Sequence, residues 1–136
     1  MERTYIMLKP EALQRNIIGD VISRIERKGL KIAHAKTMML TKEIVDEHYA
    51  HITTKPFYPE ILENMTSGPV MAMIVEGHNA IEAMMILCGP TQWVDCMPGT
   101  IRGDYVLDTG LNVIHRSDDV STAEIEIKRF FPELVK

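Results

Sequence analysis

The sequence predicts an α/β (α+β) fold, a ferredoxin-like βαββαβ sandwich in which helices pack on an antiparallel four-stranded sheet. This prediction rests on single strands separated by helices along the chain, and on two βαβ-type units within 136 residues. Hydrophobic residues make up 46% of the chain and charged residues 25%, which is ordinary for a globular protein with an apolar core. We therefore expect residues 1–136 to form one domain.

The first half of the chain shows regular strand and helix patterns. Residues 3–8 are rich in large apolar side chains and predict a buried strand that ends at Lys9. Apolar residues then recur at helical spacing from Ile18 to Ile25, and Gly29 follows as a stop signal for that helix. The next predicted elements, in order, are a strand over 30–40, a helix over 42–51, a loop over 55–59 and a short helix that ends at Met65.

The second half contains the most apolar strand and the least regular segment. Residues 70–75 form a continuous apolar run, which is typical of a central strand covered on both faces. Residues 89–110 are rich in glycine and proline and predict a long irregular loop, which in a compact domain is usually functional. Ser121 to Glu124 match a capping box at the start of the last helix. The remaining predicted elements are a helix over 79–87 and a strand over 111–115.

Charge and composition argue against several classes of protein. The net charge of −4 and the low aromatic content of 6% disfavour an RNA-binding module, so we expect no stable nucleic-acid binding. No apolar run reaches the length of a membrane span, and no membrane partner is expected. Cys88 and Cys96 have neither a CxxC nor a zinc spacing and predict free thiols. Together with a strand-like start of the chain, they favour a cytoplasmic protein.

The stretch around His115 is the richest in chemically active side chains. Neither GxxxxGK[ST] nor GxGxxG occurs, so a nucleotide would have to bind without a glycine-rich loop. A histidine at a strand end can act as a nucleophile if one ring nitrogen is free and an acceptor holds the other. Glu124 and Glu126 are the nearby candidates for that acceptor. From spacing alone, a solvated histidine at a capped strand end stays an open alternative.

Four blocks of sequence resemble one enzyme family. Residues 112–118, Asn-Val-Ile-His-Arg-Ser-Asp, resemble the nucleoside diphosphate kinase signature Asn-x-x-His-Gly-Ser-Asp. The opening Glu-Arg-Thr-Tyr-Ile-Met-Leu-Lys-Pro at 2–10 is similar to the first strand of that family. Ser-Gly-Pro-Val at 67–70 and Pro-Gly-Thr-Ile-Arg-Gly-Asp at 98–104 are similar to further family blocks, in the same order and spacing. The resemblance covers essentially the whole chain.

The resemblance implies a ping-pong phosphotransferase. His115 would take the γ-phosphate from a nucleoside triphosphate, become phosphohistidine and pass the phosphate to a nucleoside diphosphate. Glu126 would hold the far ring nitrogen of His115, which leaves Glu124 as a capping residue. Lys9 would neutralise the transferring phosphate, and Tyr49 would bond near Lys9, although a core tyrosine is an equal alternative. Mg²⁺ would arrive bound to the nucleotide phosphates, so no protein metal ligand is expected.

The same resemblance implies a nucleotide-binding set. Thr91 and Arg102 match phosphate contacts, Asn112 matches a ribose contact, and Phe57 matches a ring that stacks on the base. Stacking tolerates every base, so broad base specificity is expected. Ser117 would support the network of His115 and its glutamate, or simply begin a turn. The other histidines match nothing catalytic and are expected to be structural or solvated: His34, His48, His51 and His78.

Three positions depart from the family pattern. Met85 stands where the family has an arginine for the β-phosphate, which predicts weaker nucleotide binding or slower turnover. Arg116 replaces the glycine after the nucleophile. Arginine would be strained there if the backbone needs positive φ, and otherwise could supply the charge missing at Met85. Trp93 replaces a proline of the loop at the family's subunit contacts, and the chain ends at Lys136. We expect a homo-oligomer, with a hexamer favoured and a tetramer or dimer open.

Met85 also leaves an alternative function from another class. On this interpretation the chain is a catalytically weakened nucleotide-binding or interaction protein on the same fold. The enzyme is favoured instead by the complete set of matching residues, namely Lys9, Arg102, Asn112, His115 and Glu126.

Overall fold

The computed structural model describes residues 1–108 and 110–135. Thr109 of the predicted 89–110 loop and Lys136 at the end of the predicted domain lie outside the described residues. The strands are β1 (Glu2–Leu8), β2 (Lys31–Met38), β3 (Val70–Gly77) and β4 (Ile114–Arg116). The helices of the described part are α1 (Pro10–Gln14), α2 (Ile18–Arg27), α3 (Lys42–His48), α4 (Tyr58–Met65), α5 (Ala80–Cys88), α6 (Ile101–Tyr105) and α7 (Val120–Phe130).

The strands form one antiparallel sheet in the order β2-β3-β1-β4. The predicted ferredoxin-like sheet with helices packed on it is confirmed. The apolar run at 70–75 lies in β3, a central strand, as its sequence predicted. That residues 1–136 form a single domain stays a prediction.

The sheet separates two apolar clusters because successive side chains of a strand point to opposite faces. On β1, Ile6 and Leu8 belong to the cluster that contains Val21 and Ile25 of α2. Tyr5 and Met7 belong to the other cluster, which contains Phe130 of α7. These β1 side chains are fully buried, and burial of each contributes roughly 1.5–3 kcal/mol. The edge strand β4 pairs with β1, and the buried side chains of β1 fix the position of both strands.

Two short helices were not predicted from the sequence. α1 follows β1 directly, with Pro10 in its first turn, where proline's missing N–H costs nothing. α6 lies inside the segment predicted as an irregular loop. Thr100 caps α6 by accepting the Gly103 N–H on its hydroxyl at 2.9 Å. Both helices are only five residues long, so neither shows a helical apolar repeat that sequence analysis could detect.

The predicted start of the last helix is wrong. Asp119, not Ser121, is the N-cap of α7, and its Oδ1 accepts the Thr122 N–H at 2.7 Å. Glu124 therefore does not cap the helix. Its carboxylate pairs with the Arg3 guanidinium through two contacts, of 3.0 and 2.9 Å, at the surface.

Two further features of the described chain are the length of its helices and the state of its cysteines. None of the helices in the described ranges has both the length and the apolar character needed to cross a lipid bilayer. Cys88 and Cys96 are free thiols, as predicted. Cys88 is buried, and burial raises the pKa of its thiol to about 11.

Candidate active site

A tight turn before β4 positions His115. Val113 has φ of 60°, an unusual value for a β-branched residue, and the Ile114 N–H donates to the Asn112 carbonyl at 2.7 Å. The turn is fixed from both sides, because the Val113 N–H donates to Glu11 and the Val113 carbonyl accepts the Lys9 N–H. This turn is why the strand predicted at 111–115 is observed only from Ile114. Backbone strain of this kind is common at functional sites.

A chain of hydrogen bonds fixes the imidazole of His115. Nε2 of His115 lies 2.9 Å from Oε2 of Glu126, and Oε1 of Glu126 accepts the Ser117 hydroxyl at 2.6 Å. Ser117 is fully buried, and its Oγ accepts the Tyr5 N–H at 3.2 Å. A carboxylate can only accept, so the proton lies on Nε2 and the lone pair of Nδ1 is available. This arrangement suits a nucleophilic histidine.

Most of the residues singled out from the sequence border one cavity of about 570 Å³. That volume is within the usual range of small-molecule sites, roughly 300–1,000 Å³. The predicted residues at its wall are Lys9, Tyr49, Thr91, Arg102, Asn112, His115, Arg116 and Glu126. Ser117 lies behind Glu126. Phe57 is not at the wall, and this residue is 50% exposed next to α4.

Lys9 brings a positive charge to the cavity. It follows β1 directly, and its backbone is bonded to Val113 at 2.9 Å. Burial lowers the pKa of Lys9 to about 8. The negative charge of Glu11 acts in the opposite direction and raises the pKa. Lys9 is therefore a cation that gains stabilisation from any anion that enters the cavity.

Arg102 is buried in the cavity wall and makes no salt bridge with the residues that the structure describes. Nη1 donates to the Gly89 carbonyl at 2.9 Å and Nη2 to the Ile114 carbonyl at 2.7 Å. These bonds join α6 to the end of α5 and to β4. The Nε atom of Arg102 is buried without a hydrogen-bond partner in the described part of the chain. Arg102 thus links these elements through its two Nη atoms, and its Nε–H remains without an acceptor among the described residues.

Asn112 and Tyr49 also present polar groups at this cavity. The Oδ1 atom of Asn112 is buried and, within the described ranges, has no hydrogen-bond donor. Burial raises the pKa of Tyr49 above its usual range, so its phenol stays neutral. A ligand hydroxyl would satisfy the Asn112 oxygen, which costs free energy while it is buried and unpaired.

His48 and Arg129 lie in the site although the sequence analysis did not place them there. The imidazole of His48 meets that of His115 edge to face, with ring centres 4.6 Å apart, and it is almost fully buried. Arg129 lies 2.9 Å from Nδ1 of His48. Burial lowers the pKa of His48 well below its usual range, so this imidazole is neutral and accepts from Arg129. The sequence did contain a signal for Arg129. It follows Glu126 by three residues, so both side chains lie on the same face of α7.

Arg116 and Met85, two positions that depart from the family pattern, differ in their relation to the cavity. Arg116 lies in β4, paired with Ile6, and positive φ among the described non-glycine residues occurs only at Asn16, Asn79 and Val113. Arginine is therefore unstrained at position 116. Met85 is 40% exposed on α5 and does not border the cavity.

Comparisons with known proteins agree with this fold. The chain matches the nucleoside diphosphate kinase family model over residues 2–135. It is 52% identical over 134 residues to the nucleoside diphosphate kinase of Thermobifida fusca, covering 98% of this chain and 99% of that protein. It is 49% identical over 133 residues to the nucleoside diphosphate kinase of Archaeoglobus fulgidus, and the match covers 98% of this chain and 88% of that protein.

Solved structures give the same result. An apo nucleoside diphosphate kinase from Encephalitozoon cuniculi superposes with a TM-score of 0.95 at 43% identity, covering 100% of this chain and 92% of that one. A halophilic nucleoside diphosphate kinase from Halobacterium salinarum, in complex with CDP, superposes with a TM-score of 0.92 at 47% identity. This match covers 96% of this chain and 87% of that one.

The fold and these matches define the class of this protein as a nucleotide-binding kinase, an enzyme that transfers phosphate. The chain belongs to the nucleoside diphosphate kinase family. None of these relatives is named as a binding or interaction protein, so the alternative of a weakened nucleotide-binding protein gains no support.

Proposed function

We propose that this chain transfers the γ-phosphate of a nucleoside triphosphate to a nucleoside diphosphate through a phosphohistidine at His115. The observation that supports this most directly is the contact of 2.9 Å between Nε2 of His115 and Glu126 at the wall of a cationic cavity. It leaves Nδ1 as the nucleophile and lets the carboxylate stabilise positive charge on the ring.

The first half-reaction follows from this geometry. Nδ1 of His115 attacks the γ-phosphorus, an N–P bond forms, and the bond from that phosphorus to the β-phosphate oxygen breaks. The diphosphate leaves with the electron pair of the broken bond. The Nε2 proton stays in the hydrogen bond to Glu126, so the imidazole is stabilised without losing its orientation. The second half-reaction reverses these steps with a different diphosphate.

Cationic side chains supply the electrostatic stabilisation that phosphoryl transfer needs. Lys9 and Arg102 border the same cavity as His115. Burial lowers the pKa of Lys9 and of Arg102, because it removes water from around their charges. A desolvated cation interacts with phosphate more strongly than a solvated one.

Mg²⁺ enters as part of the substrate, bound to the nucleotide phosphates. The group of potential metal ligands in the described residues is His48, His115 and Glu126. Two imidazoles do not suit Mg²⁺, which prefers oxygen ligands and retains its waters. The protein residues therefore bind the phosphates, and the cation supplies charge neutralisation when the nucleotide is bound.

The nucleoside part is bound by Asn112 and Phe57 in this proposal. The buried, unpaired Oδ1 of Asn112 accepts a ribose hydroxyl, and the half-exposed ring of Phe57 stacks on the base. Stacking supports broad base specificity. Tyr49 and Thr91 complete the nucleotide contacts from the cavity wall.

We also propose that the protein is a cytoplasmic homo-oligomer, with a hexamer favoured. Exposed apolar side chains lie near one another in sequence, namely Ile86 in α5 and Trp93, Val94 and Met97 between α5 and α6. Exposed apolar groups of this kind favour subunit contacts. Light scattering after size-exclusion chromatography measures the oligomer directly, and a monomer at micromolar concentration contradicts the proposal.

Transfer of labelled γ-phosphate from ATP with Mg²⁺ tests the catalytic proposal. We expect acid-labile label on the native protein and none on His115→Ala. A chase with GDP should release the label as GTP. A native protein that binds nucleotide and takes no label would contradict the proposal and favour a binding role.

A further inference from the structure

Arg116 is a charged residue at the active-site cavity whose position the reaction outlined above does not use. It follows His115 in β4, so their side chains start on opposite faces of the sheet. β4 is an edge strand, and both Arg116 and His115 border the same cavity. The Arg116 side chain is only 12% exposed. A long cationic side chain is thus held at the cavity wall, not in bulk solvent.

The ion pair of Arg116 does not explain its burial. Nη1 of Arg116 lies 3.1 Å from Oδ1 of Asp118, but the Asp118 side chain is 83% exposed. Pairs with such an exposed partner contribute little, roughly 0–1 kcal/mol. The Nε atom of Arg116 is buried and has no hydrogen-bond partner among the residues that the structure describes. A buried guanidinium with an unpaired N–H is unfavourable unless another acceptor binds it.

Arg102 lies close enough to Arg116 for their charges to interact. Burial lowers the pKa of Arg102, and the positive charge of Arg116 adds to that effect. Both residues border the cavity, and in the described ranges each has a buried Nε without a partner. Two neighbouring cations with unpaired donors repel each other, and an anion between them removes the repulsion and satisfies both donors.

We infer that Arg116 is a phosphate-binding residue that, together with Arg102, binds the phosphate chain of the nucleotide. This inference rests on the proposed function for the identity of the ligand. The planar guanidinium suits phosphate oxygens, which it can bind through two parallel N–H donors. Arg116 contributes to substrate binding from the side of the strand opposite to the His115 ring.

The test compares binding of ADP with Mg²⁺ to binding of adenosine by calorimetry. Arg116→Gln should weaken ADP binding about tenfold or more and leave adenosine binding unchanged. Arg116→Lys should be intermediate, because it keeps the charge and loses the planar fork. Arg3→Gln is the matched control: it also removes one arginine charge, but from a surface pair with Glu124. It should bind ADP like the native protein.

A purely structural role for Arg116 predicts a different pattern. If Arg116 served only its pair with Asp118, then Asp118→Asn would weaken ADP binding as much as Arg116→Gln does. We expect Asp118→Asn to bind ADP as well as or better than the native protein, since it frees the guanidinium for phosphate. Equal loss in the two variants overturns the inference.

Labelled γ-phosphate transfer to the native protein separates this inference from the proposed function. Native protein that takes label while folded Arg116→Gln and Arg116→Lys both bind ADP normally overturns the role of Arg116 alone. Native protein that takes no label overturns the proposed function. In that case the selective loss of ADP binding in Arg116→Gln still supports Arg116 as a phosphate ligand.

Discussion

Oε2 of Glu126 lies 2.9 Å from Nε2 of His115, and Glu126 is only 5% exposed. The contact joins α7 to the edge strand β4 and sets the tautomer of the imidazole. We predict that Glu126→Gln lowers kcat by roughly 10²-fold, because a neutral amide cannot stabilise positive charge on the ring. Steady-state kinetics with ATP and a second diphosphate measure the change.

Glu124→Gln is the matched control for this prediction. The same substitution on the same helix removes only the surface pair with Arg3. We expect its kcat to stay within about twofold of native, since exposed pairs have small effects. Comparable losses in both variants would show that Glu126 acts through the stability of α7 and not through His115.

Lys9 predicts an alkaline limit to activity. Its pKa is lowered to about 8 by burial, so the free enzyme loses this cation as the pH rises through 8. We predict that kcat/KM falls above that pH, because the phosphate loses an electrostatic partner. A profile that stays flat up to pH 10 would contradict the lowered pKa of Lys9.

The same pKa has a consequence for stability. The unfolded chain keeps the Lys9 proton up to about pH 10.5, whereas the native state releases this proton near pH 8. The unfolded state therefore binds more protons between these values, and the free energy of unfolding should rise with pH across this window. Lys9→Met should remove that slope in denaturant titrations at pH 8 to 10. An unchanged slope in the variant would assign the effect to another group.

His48 predicts loss of stability in acid. Burial lowers the pKa of His48 far below 6.5, so the native state excludes a proton that the unfolded chain accepts. Its contribution to stability is present above about pH 6.5 and is lost as the pH falls below that value. We predict that His48→Gln shows a shallower decrease in unfolding free energy between pH 6 and 4 than the native protein, by about 1.4 kcal/mol per pH unit. His51→Gln, a control at a solvent-exposed position, should keep the native slope.

Gly103 predicts a steric limit in α6. A Cβ at this position would overlap the Met97 carbonyl oxygen and would lie 2.6 Å from the Thr100 hydroxyl. We predict that Gly103→Ala destabilises the protein by about 1–3 kcal/mol and lowers activity, because Arg102 moves with the helix. Thermal unfolding measures the loss. Gly19→Ala should be neutral or stabilising, since nothing lies within 4 Å of its added Cβ.

Met85 and Arg116 form a testable pair. If Arg116 supplies charge that is missing at Met85, then Met85→Arg should improve kcat/KM more in the Arg116→Gly background than in the native one. Kinetics of the two single variants and the double variant give the coupling. Simply additive effects would show that the two positions act independently.

Much of the fold could be predicted because it is encoded in local patterns. The apolar run at 70–75 indicated the central strand β3, and the helical spacing from Ile18 to Ile25 indicated α2. The start of α7 was misassigned because Ser121 and Asp119 are both good caps, and only the geometry shows which oxygen accepts the Thr122 N–H. α1 and α6 were missed because a five-residue helix has too few turns to show periodicity.

The choice between Glu124 and Glu126 shows how far periodicity extends into the site. These residues are two apart on α7, about 200° around the helix axis, and so face opposite directions. Glu126 shares the buried face with Ala123, Ile127 and Phe130, whereas Glu124 lies at the surface. The helical phase alone would have favoured Glu126 as the partner of His115.

The sequence by itself determined the order of the four strands and of the longer helices, the free thiols and the identity of His115 as the candidate nucleophile, because these depend on near neighbours in the chain. Only the tertiary structure decided that His48 and Arg129 join the site and that Arg116 reaches its cavity without backbone strain. Burial, desolvation and charge proximity arise from contacts between residues far apart in sequence. Those contacts set the lowered pKa of Lys9 and of His48, which no local pattern contains.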